Sequence, residues 1–417
     1  MARAKGHPST TLKQKLLLVI GSIFVTLIAA ELVVRLFVPY IRGTHQHPSS
    51  MWRDNFITSE RVGKYHPVLG WVLQPNKETM NRSWEFEHMI KTNSHGLRDD
   101  EVSYERDPET RRILLLGDSF AMGYGVERKY SLEFLLEKYI QNTEVINLSV
   151  SGYGTDQELL AYEIEGKKYK PDLVLLAFTV ANDALNNAMP NQYGRNKPYF
   201  ELENGKAILK GIPVPKMPFP ENPGNADTHT RSPFPIHDFF DANSALYAWV
   251  FDRLSQIPSL KKRWEKSKLL YPQIDVFYSS QLWILNTRVS EYDPTWQLTF
   301  KLLERWQQRC LEQDSTPVLL LIPSNLQIYQ GALKRVIEEK KLNPGEFDLQ
   351  HPNNLLKNFC KTHHLDVIDL LPALQAAAAS GHSPYFKRNP HWNRYGHLLA
   401  AKAIARELSK MEIFKKK

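Results

Sequence analysis

Three short, almost unbroken apolar runs constrain this chain more than any other feature. They are "RILLLG" (Arg112 to Gly117), "PDLVLLAF" (Pro171 to Phe178) and "TPVLLLIPS" (Thr316 to Ser324). Each is too short for a buried helix and is bounded by Gly, Pro, Asp or Ser, so each reads as a strand covered on both faces. "EVINLSV" and "LDVIDLL" read as two more strands. Between and after them, "SLEFLLEKYIQ", "DQELLAYEIEGKKY", "TWQLTFKLLERWQQRCLEQ", "ALKRVIEEKKL", "NNLLKNFCKTHH" and "NRYGHLLAAKAIARELSKM" have helical spacing, with Asp156 as the expected cap of the second. Strands alternating with amphipathic helices predict an α/β domain whose parallel sheet is covered on both faces.

The length of 417 residues allows one large or two ordinary domains. The net charge of +8 does not come from a basic block, which argues against a nucleic-acid partner. Cys310 and Cys360 lack metal-ligand spacing, so neither a zinc site nor a disulfide framework is expected; a single bridge between them stays open. No metal, nucleotide or redox cofactor is called for.

The N-terminus differs in kind. Residues 1–15 are basic, with Arg3, Lys5, Lys13 and Lys15 and no acid. Residues 16–38 are apolar and, at about 1.5 Å per residue, long enough to cross a hydrocarbon core of about 30 Å. Glu31 and Arg35 interrupt the run four residues apart on one face, where they can pair or reach the interface. The basic flank predicts a cytoplasmic N-terminus and an extracytoplasmic remainder: a single-pass inner-membrane protein facing the periplasm, with the lipid bilayer as partner through residues 16–38. A cleaved signal peptide is the rival and a buried soluble helix the third reading; the unbroken continuation past Ala29-Ala30 favours an uncleaved anchor. Residues 39–100 read as a stalk and a small β-rich lead-in of hairpins. Residues 101–417 read as the main domain, with an insertion at about 185–293 that begins with a hairpin and a Pro-rich loop and serves in part as a lid.

Residues just past the carboxyl ends of parallel strands meet in one crevice. Ser119 follows the first strand in "GDSF", Gly152 the second in "NLSVSGYGT", and Asn182 and Asp183 the third in "FTVANDALNN". His391, in "FKRNPHWNRYGH", directly precedes the last helix. Singly, each has a plainer reading: a turn serine, a turn glycine, a helix cap, a packing histidine. Jointly they supply what acyl transfer requires. A hydroxyl needs an imidazole to take its proton, and the tetrahedral oxyanion needs fixed donors. Trp392 and Asn393 read more readily as packing than as pocket lining. The aromatics Tyr199, Phe200, Tyr247, Trp249 and Phe251 read more readily as cover for the sheet than as a sugar-stacking wall.

The set Gly117-Asp118-Ser119, Gly152, Asn182-Asp183 and His391 resembles the SGNH, or GDSL, hydrolase superfamily over roughly residues 90–410. The resemblance implies a flavodoxin-like three-layer α/β/α sandwich. It further implies Ser119 as nucleophile, His391 as base, and an oxyanion hole of Ser119 N–H, Gly152 N–H and Asn182, with Asp118 and Asp183 in support. Members of the superfamily are esterases, lipases, carbohydrate O-deacetylases and some O-acyltransferases. "TNSHGLRDDE" and "HWNRYGH" resemble a membrane-anchored bacterial branch related to polysaccharide O-acetylation proteins. The expected activity is that of a serine esterase or O-acetyltransferase acting through a Ser119 acyl-enzyme on an acylated glycan or other ester, with acetyl as the expected acyl group.

One position departs from that pattern. The aspartate usually found two or three residues before the histidine is replaced by Asn389 and Arg388. Three accounts follow: a Ser–His pair oriented by Asn389 or a backbone carbonyl, Asp369 reaching the imidazole from the last strand, or a degenerate glycan-binding or assembly protein. A phosphoryl-accepting reading through Asp118 gives no role to Gly152, Asn182 or His391.

Overall fold

The computed structural model describes residues 11–37, 62–82, 85–193, 195–216, 244, 246–247, 250, 254, 257, 259, 281–386 and 389–415. The chain divides into two compact units. One joins residues 1–50 to 228–272; the other holds 51–227 and 273–417.

The larger unit begins with two antiparallel hairpins, β1 (Gly63–His66) with β2 (Gly70–Leu73), and β3 (Glu78–Arg82) with β4 (Glu87–Lys91). Then come β5 (Arg111–Gly117), β6 (Thr143–Asn147) and β7 (Leu173–Thr179). A short hairpin, β8 (Asn191–Gln192) with β9 (Arg195–Asn196), precedes β10 (Tyr199–Glu203) with β11 (Lys206–Lys210). The second of these turns at Asn204-Gly205, both at positive φ, as an Asn-Gly hairpin requires. β12 (Thr316–Ile322) and β13 (Asp366–Asp369) complete the set.

The five long-range strands form one parallel sheet in the order β13-β12-β7-β5-β6. Counted along the chain this is the flavodoxin-like 2-1-3-4-5 order. Strand periodicity splits the sheet's side chains between two cores. Leu114, Leu116, Leu176, Phe178 and Leu319 point to one face, packing with Leu159 and Tyr162 of the helix Thr155–Ile164 and Trp296, Leu303 and Trp306 of the helix Pro294–Leu311. Ile113, Leu115, Leu175 and Leu320 point to the other, packing with the helices Leu132–Tyr139, Leu371–Ala379 and Arg394–Leu408. The expected three-layer α/β/α sandwich with a central parallel sheet is therefore present. Cys310 and Cys360 are separate buried thiols, which closes the question of a bridge between them.

Two local expectations change. The helix Thr155–Ile164 is capped by Gly154, not Asp156, whose carboxylate instead meets the buried Lys197 ammonium. The strand expected over "LDVIDLL" ends at Asp369, and the helix Leu371–Ala379 follows it almost directly, with a proline in its first turn, where a missing N–H leaves no bond unmade.

In the smaller unit a helix spans Leu12–Phe37, and its stretch Gln14–Val34 is long and apolar enough to cross a membrane. Its large apolar side chains from Leu16 to Val33 are exposed, so it is not a core helix. The Glu31 carboxylate accepts hydrogen bonds from Ser244 Oγ and Leu246 N, both 2.8 Å. These partners come from a distant part of the chain; the side chain of Arg35, the expected partner, lies outside the described residues. The stalk at 39–60 also lies outside them.

Candidate active site

The sheet order reverses between β5 and β7, and a crevice opens beyond the carboxyl ends of strands at such a switch point. Ser119 leaves β5 there. A Cβ on Gly117 would lie 2.6 Å from Ala121 Cβ and 3.1 Å from Ala177 Cβ, so only glycine lets the chain turn this sharply beside β7. Asp118 caps the short helix Ser119–Met122, its Oδ1 accepting from Phe120 N at 2.9 Å. Gly123, at φ +83°, ends that helix. The buried Arg98 guanidinium then gathers three carbonyls of the turn, Met122 O (2.6 Å), Gly123 O (2.8 Å) and Val126 O (2.6 Å). The "HGLRDDE" block of the lead-in thus braces the serine turn.

His391 arrives from the other end of the sequence. Its Nε2 lies 2.6 Å from Ser119 Oγ. Its loop is closed by the bridge Tyr385–Trp392 and by Phe386 N donating to His391 O at 3.0 Å. The Tyr385 hydroxyl donates to Pro323 O, at the end of β12. Asn389 Oδ1 meets both the His391 backbone N–H (3.1 Å) and the ring Nδ1 (2.6 Å). The backbone N–H can only donate, so the asparagine atom must be its oxygen. Nδ1 must then carry the proton, and Nε2 turns its lone pair to the serine hydroxyl. Asn389 is itself held by its backbone N–H donating to Glu85 Oε2 at 2.7 Å. Phe120 and Tyr124 flank the imidazole at 4.9 and 4.5 Å between ring centres. Burial drives the His391 pKa down to about 3, so the ring is neutral at neutral pH.

The loops carrying the remaining expected residues are tied to the Gly117-Asp118 turn and to the end of β7. Val150 N donates to Gly117 O at 3.1 Å, bringing the loop after β6 to the turn. Gly152 sits at φ +81°, and a Cβ there would lie 2.9 Å from the Tyr193 ring. Asn182 precedes the helix Asp183–Asn187 without capping it; its Nδ2 points to Asp118 Oδ2 at 3.5 Å. Asp183 Oδ2 accepts from Thr179 N at 2.7 Å and fixes that corner. Tyr193 holds a left-handed φ of +51°, uncommon for an aromatic residue, and its hydroxyl faces the amides of Asn182 and Gln192. Glu85 and Tyr193 carry no local pattern that marks them in the sequence, whereas Arg98 lies in the quoted block "TNSHGLRDDE".

Asp369 does not reach the imidazole. Its carboxylate is engaged by Asn353 Nδ2 (2.8 Å), Leu371 N (2.9 Å) and the Lys357 ammonium. Trp392 is packed against Phe120, and Asn393 caps the last helix, in keeping with their plainer readings. Phe200 is core and Tyr247 is half-buried; Trp249 and Phe251 lie outside the described residues.

Beneath the turn lies a group of buried acids. Burial raises Asp118 to about 6. Burial, reinforced by neighbouring carboxylates, raises Glu158 and Asp183 well above the carboxylate range. Asp156 is raised by burial and opposed by Lys197.

Residues 278–417 match the family described as the SGNH hydrolase-like domain of the acetyltransferase AlgX. That stretch contains Asn389 and His391; Ser119, Gly152 and Asn182 precede it. No curated protein matches the chain. Among solved structures it is similar to a G-D-S-L lipolytic protein from Veillonella parvula, at 13% identity over 72% of this chain and 100% of that one, TM-score 0.35. The lipase/acylhydrolase from Enterococcus faecalis matches at 14% identity over 72% and 96%, TM-score 0.36. The acetyl xylan esterase AlAXEase matches at 12% identity over 71% and 99%, TM-score 0.36. The family match covers the C-terminal third of the chain.

Proposed function

We propose that this chain is a serine-dependent ester hydrolase or O-acyltransferase acting on an acylated glycan, held at the outer face of the inner membrane by its N-terminal helix. One observation carries the chemistry: Ser119 Oγ lies 2.6 Å from an imidazole nitrogen whose ring partner carries the proton. Ser119 Oγ attacks the ester carbonyl while its proton passes to His391 Nε2. The negative oxygen is received by the N–H groups of Ser119 and Gly152 and by the Asn182 amide. Collapse expels the alcohol, which takes the proton from Nε2 and leaves an acyl-serine. Water or a sugar hydroxyl then repeats the sequence in reverse and frees the serine. Asn389 keeps the ring in the required tautomer throughout, without the charge that an aspartate would add. The match to an acetyltransferase family favours acetyl as the acyl group and a cell-envelope or exported polysaccharide as the glycan.

A fluorophosphonate probe tests the reading. Labelling of the natural protein and its loss in Ser119→Ala is the expected result; equal labelling of both overturns it. The missing charge at Asn389 favours a second reading, a glycan-binding protein on an inactive fold. An inert natural protein that gains Ser119-dependent esterase activity through Asn389→Asp would establish that one.

A further inference from the structure

Asn389 is buried, and its side chain must point one way for the His391 imidazole to serve as a base. Pro390 follows it. A proline disfavours the helical region for the residue before it, and it brings no N–H with which to tie the loop. The N–H left to do so is that of Asn389 itself, and it donates to Glu85 Oε2 at 2.7 Å. Glu85 lies between β3 and β4, in a segment that meets both halves of the site. Its neighbour Phe86 packs on Tyr124, 5.2 Å away, and on Phe386, 5.1 Å away, between ring centres. Tyr124 belongs to the serine turn, its N–H donating to Ser119 O at 2.9 Å. Phe386 belongs to the histidine loop, where its N–H holds His391 O. The lead-in hairpin therefore touches the nucleophile's turn with one side chain and the residue that orients the base with the next.

We infer that Glu85 is a positioning residue for the base: by fixing the Asn389 peptide it holds Asn389 Oδ1 against His391 Nδ1 and so keeps the proton off Nε2. The inference deepens the proposed function and rests on it for any effect on turnover, but not for the effect on the tautomer. The work of the absent aspartate is divided between two residues. Asn389 accepts from Nδ1–H, and Glu85 fixes the residue that accepts. If the Asn389 peptide turns, its side chain leaves the ring. The proton is then free to settle on Nε2, where it blocks transfer from Ser119. Burial sets the His391 pKa with no opposing pull from Glu85, so the acid acts through its place rather than its charge. Its removal should accordingly be felt only while Asn389 is present.

Nitrogen NMR of the full-length protein labelled with 15N-histidine tests this, because ring resonances distinguish a protonated from an unprotonated nitrogen. His391→Ala identifies the His391 signals among those of the 14 histidines. At neutral pH the natural protein should show His391 with its proton on Nδ1. Glu85→Ala should bring in the Nε2–H tautomer and lower kcat for an activated acetate ester by about 10²-fold, with little change in KM. Glu85→Gln keeps the acceptor and should retain both the tautomer and most of kcat. In an Asn389→Ala background, Glu85→Ala should cost no more than about twofold further. Glu78→Ala, which removes an exposed acid of the same hairpin, should match the natural protein throughout. An unchanged His391 tautomer in Glu85→Ala overturns the inference. So does an equal loss of kcat with and without Asn389, which would mark a general loss of structure. A Glu85→Gln protein as impaired as Glu85→Ala would make charge the agent and overturns it too. If Ser119→Ala is as active as the natural protein, the proposed chemistry fails, and the tautomer alone decides the role of Glu85.

Discussion

At the residue scale the site turns on Asn389. Its oxygen holds the His391 tautomer, but a neutral amide does little to stabilise the imidazolium formed when Ser119 gives up its proton. Replacing it with aspartate keeps the acceptor and adds charge beside the ring. Asn389→Asp should therefore raise Ser119-dependent turnover of an activated acetate ester by about tenfold or more, roughly 1.4 kcal/mol of barrier. An unchanged rate would mean that charge at this position does not limit the reaction. Asp118 gives a stability prediction. Its pKa rises from an ordinary carboxyl's to about 6 through burial. Between the unfolded and folded values the native state holds a proton that the unfolded state has lost. Stability therefore falls as pH rises through that window, and the full penalty is present above about 6. Asp118→Asn keeps the acceptor for Phe120 N and removes the titration. The stability of the variant relative to the natural protein should improve by about 2–3 kcal/mol between pH 4 and pH 7.5, read from unfolding curves at the two pH values. The Asp118 change leaves His391 titrating in both proteins, so its opposite contribution cancels in the comparison.

At the scale of elements, legibility follows burial and sequence distance. The strands containing Leu114, Leu175 and Leu320 stand out because both faces of each are covered, leaving no polar alternation to mislead. Ser119, Gly152, Asn182 and His391 are legible because each sits next to an element whose end is visible. Glu85 is not, because its contact with Asn389 spans 304 residues and a single acid in a hairpin has no signature. Asp156 reads as a cap because local propensity cannot see Lys197, a buried ammonium brought by another element. Gly152 is legible as a turn residue but not as the floor beneath Tyr193. That second role yields a prediction: Gly152→Ala must carry its Cβ at φ +81° and 2.9 Å from the Tyr193 ring. The loop should shift, and with it the N–H proposed to receive the oxyanion. Turnover should fall by about 10²–10³-fold with little change in melting temperature, measured side by side on the same preparation.

At the scale of the whole molecule the question is which side of the membrane each part occupies. The helix Leu12–Phe37 leaves its large apolar side chains from Leu16 to Val33 exposed, which suits the proposed hydrocarbon surround. The cations before it should stay on the side of synthesis, because moving them through hydrocarbon is costly. The Glu31 carboxylate, near the other end of the helix, accepts hydrogen bonds from Ser244 Oγ and Leu246 N. The proposed anchoring therefore predicts that the large unit lies outside. Whole cells carrying Thr11→Cys or Tyr292→Cys, two exposed positions on either side of the helix, can be treated with a membrane-impermeant maleimide. Tyr292→Cys should label once the outer barrier is opened, and Thr11→Cys should label only after the inner membrane is lysed. Labelling of Thr11→Cys before lysis would reverse the orientation, and recovery of a chain beginning after Ala30 would make the helix a cleaved signal. The first result would remove the extracytoplasmic placement and the second the anchor, and both would leave the Ser119–His391 chemistry to be judged by its own test.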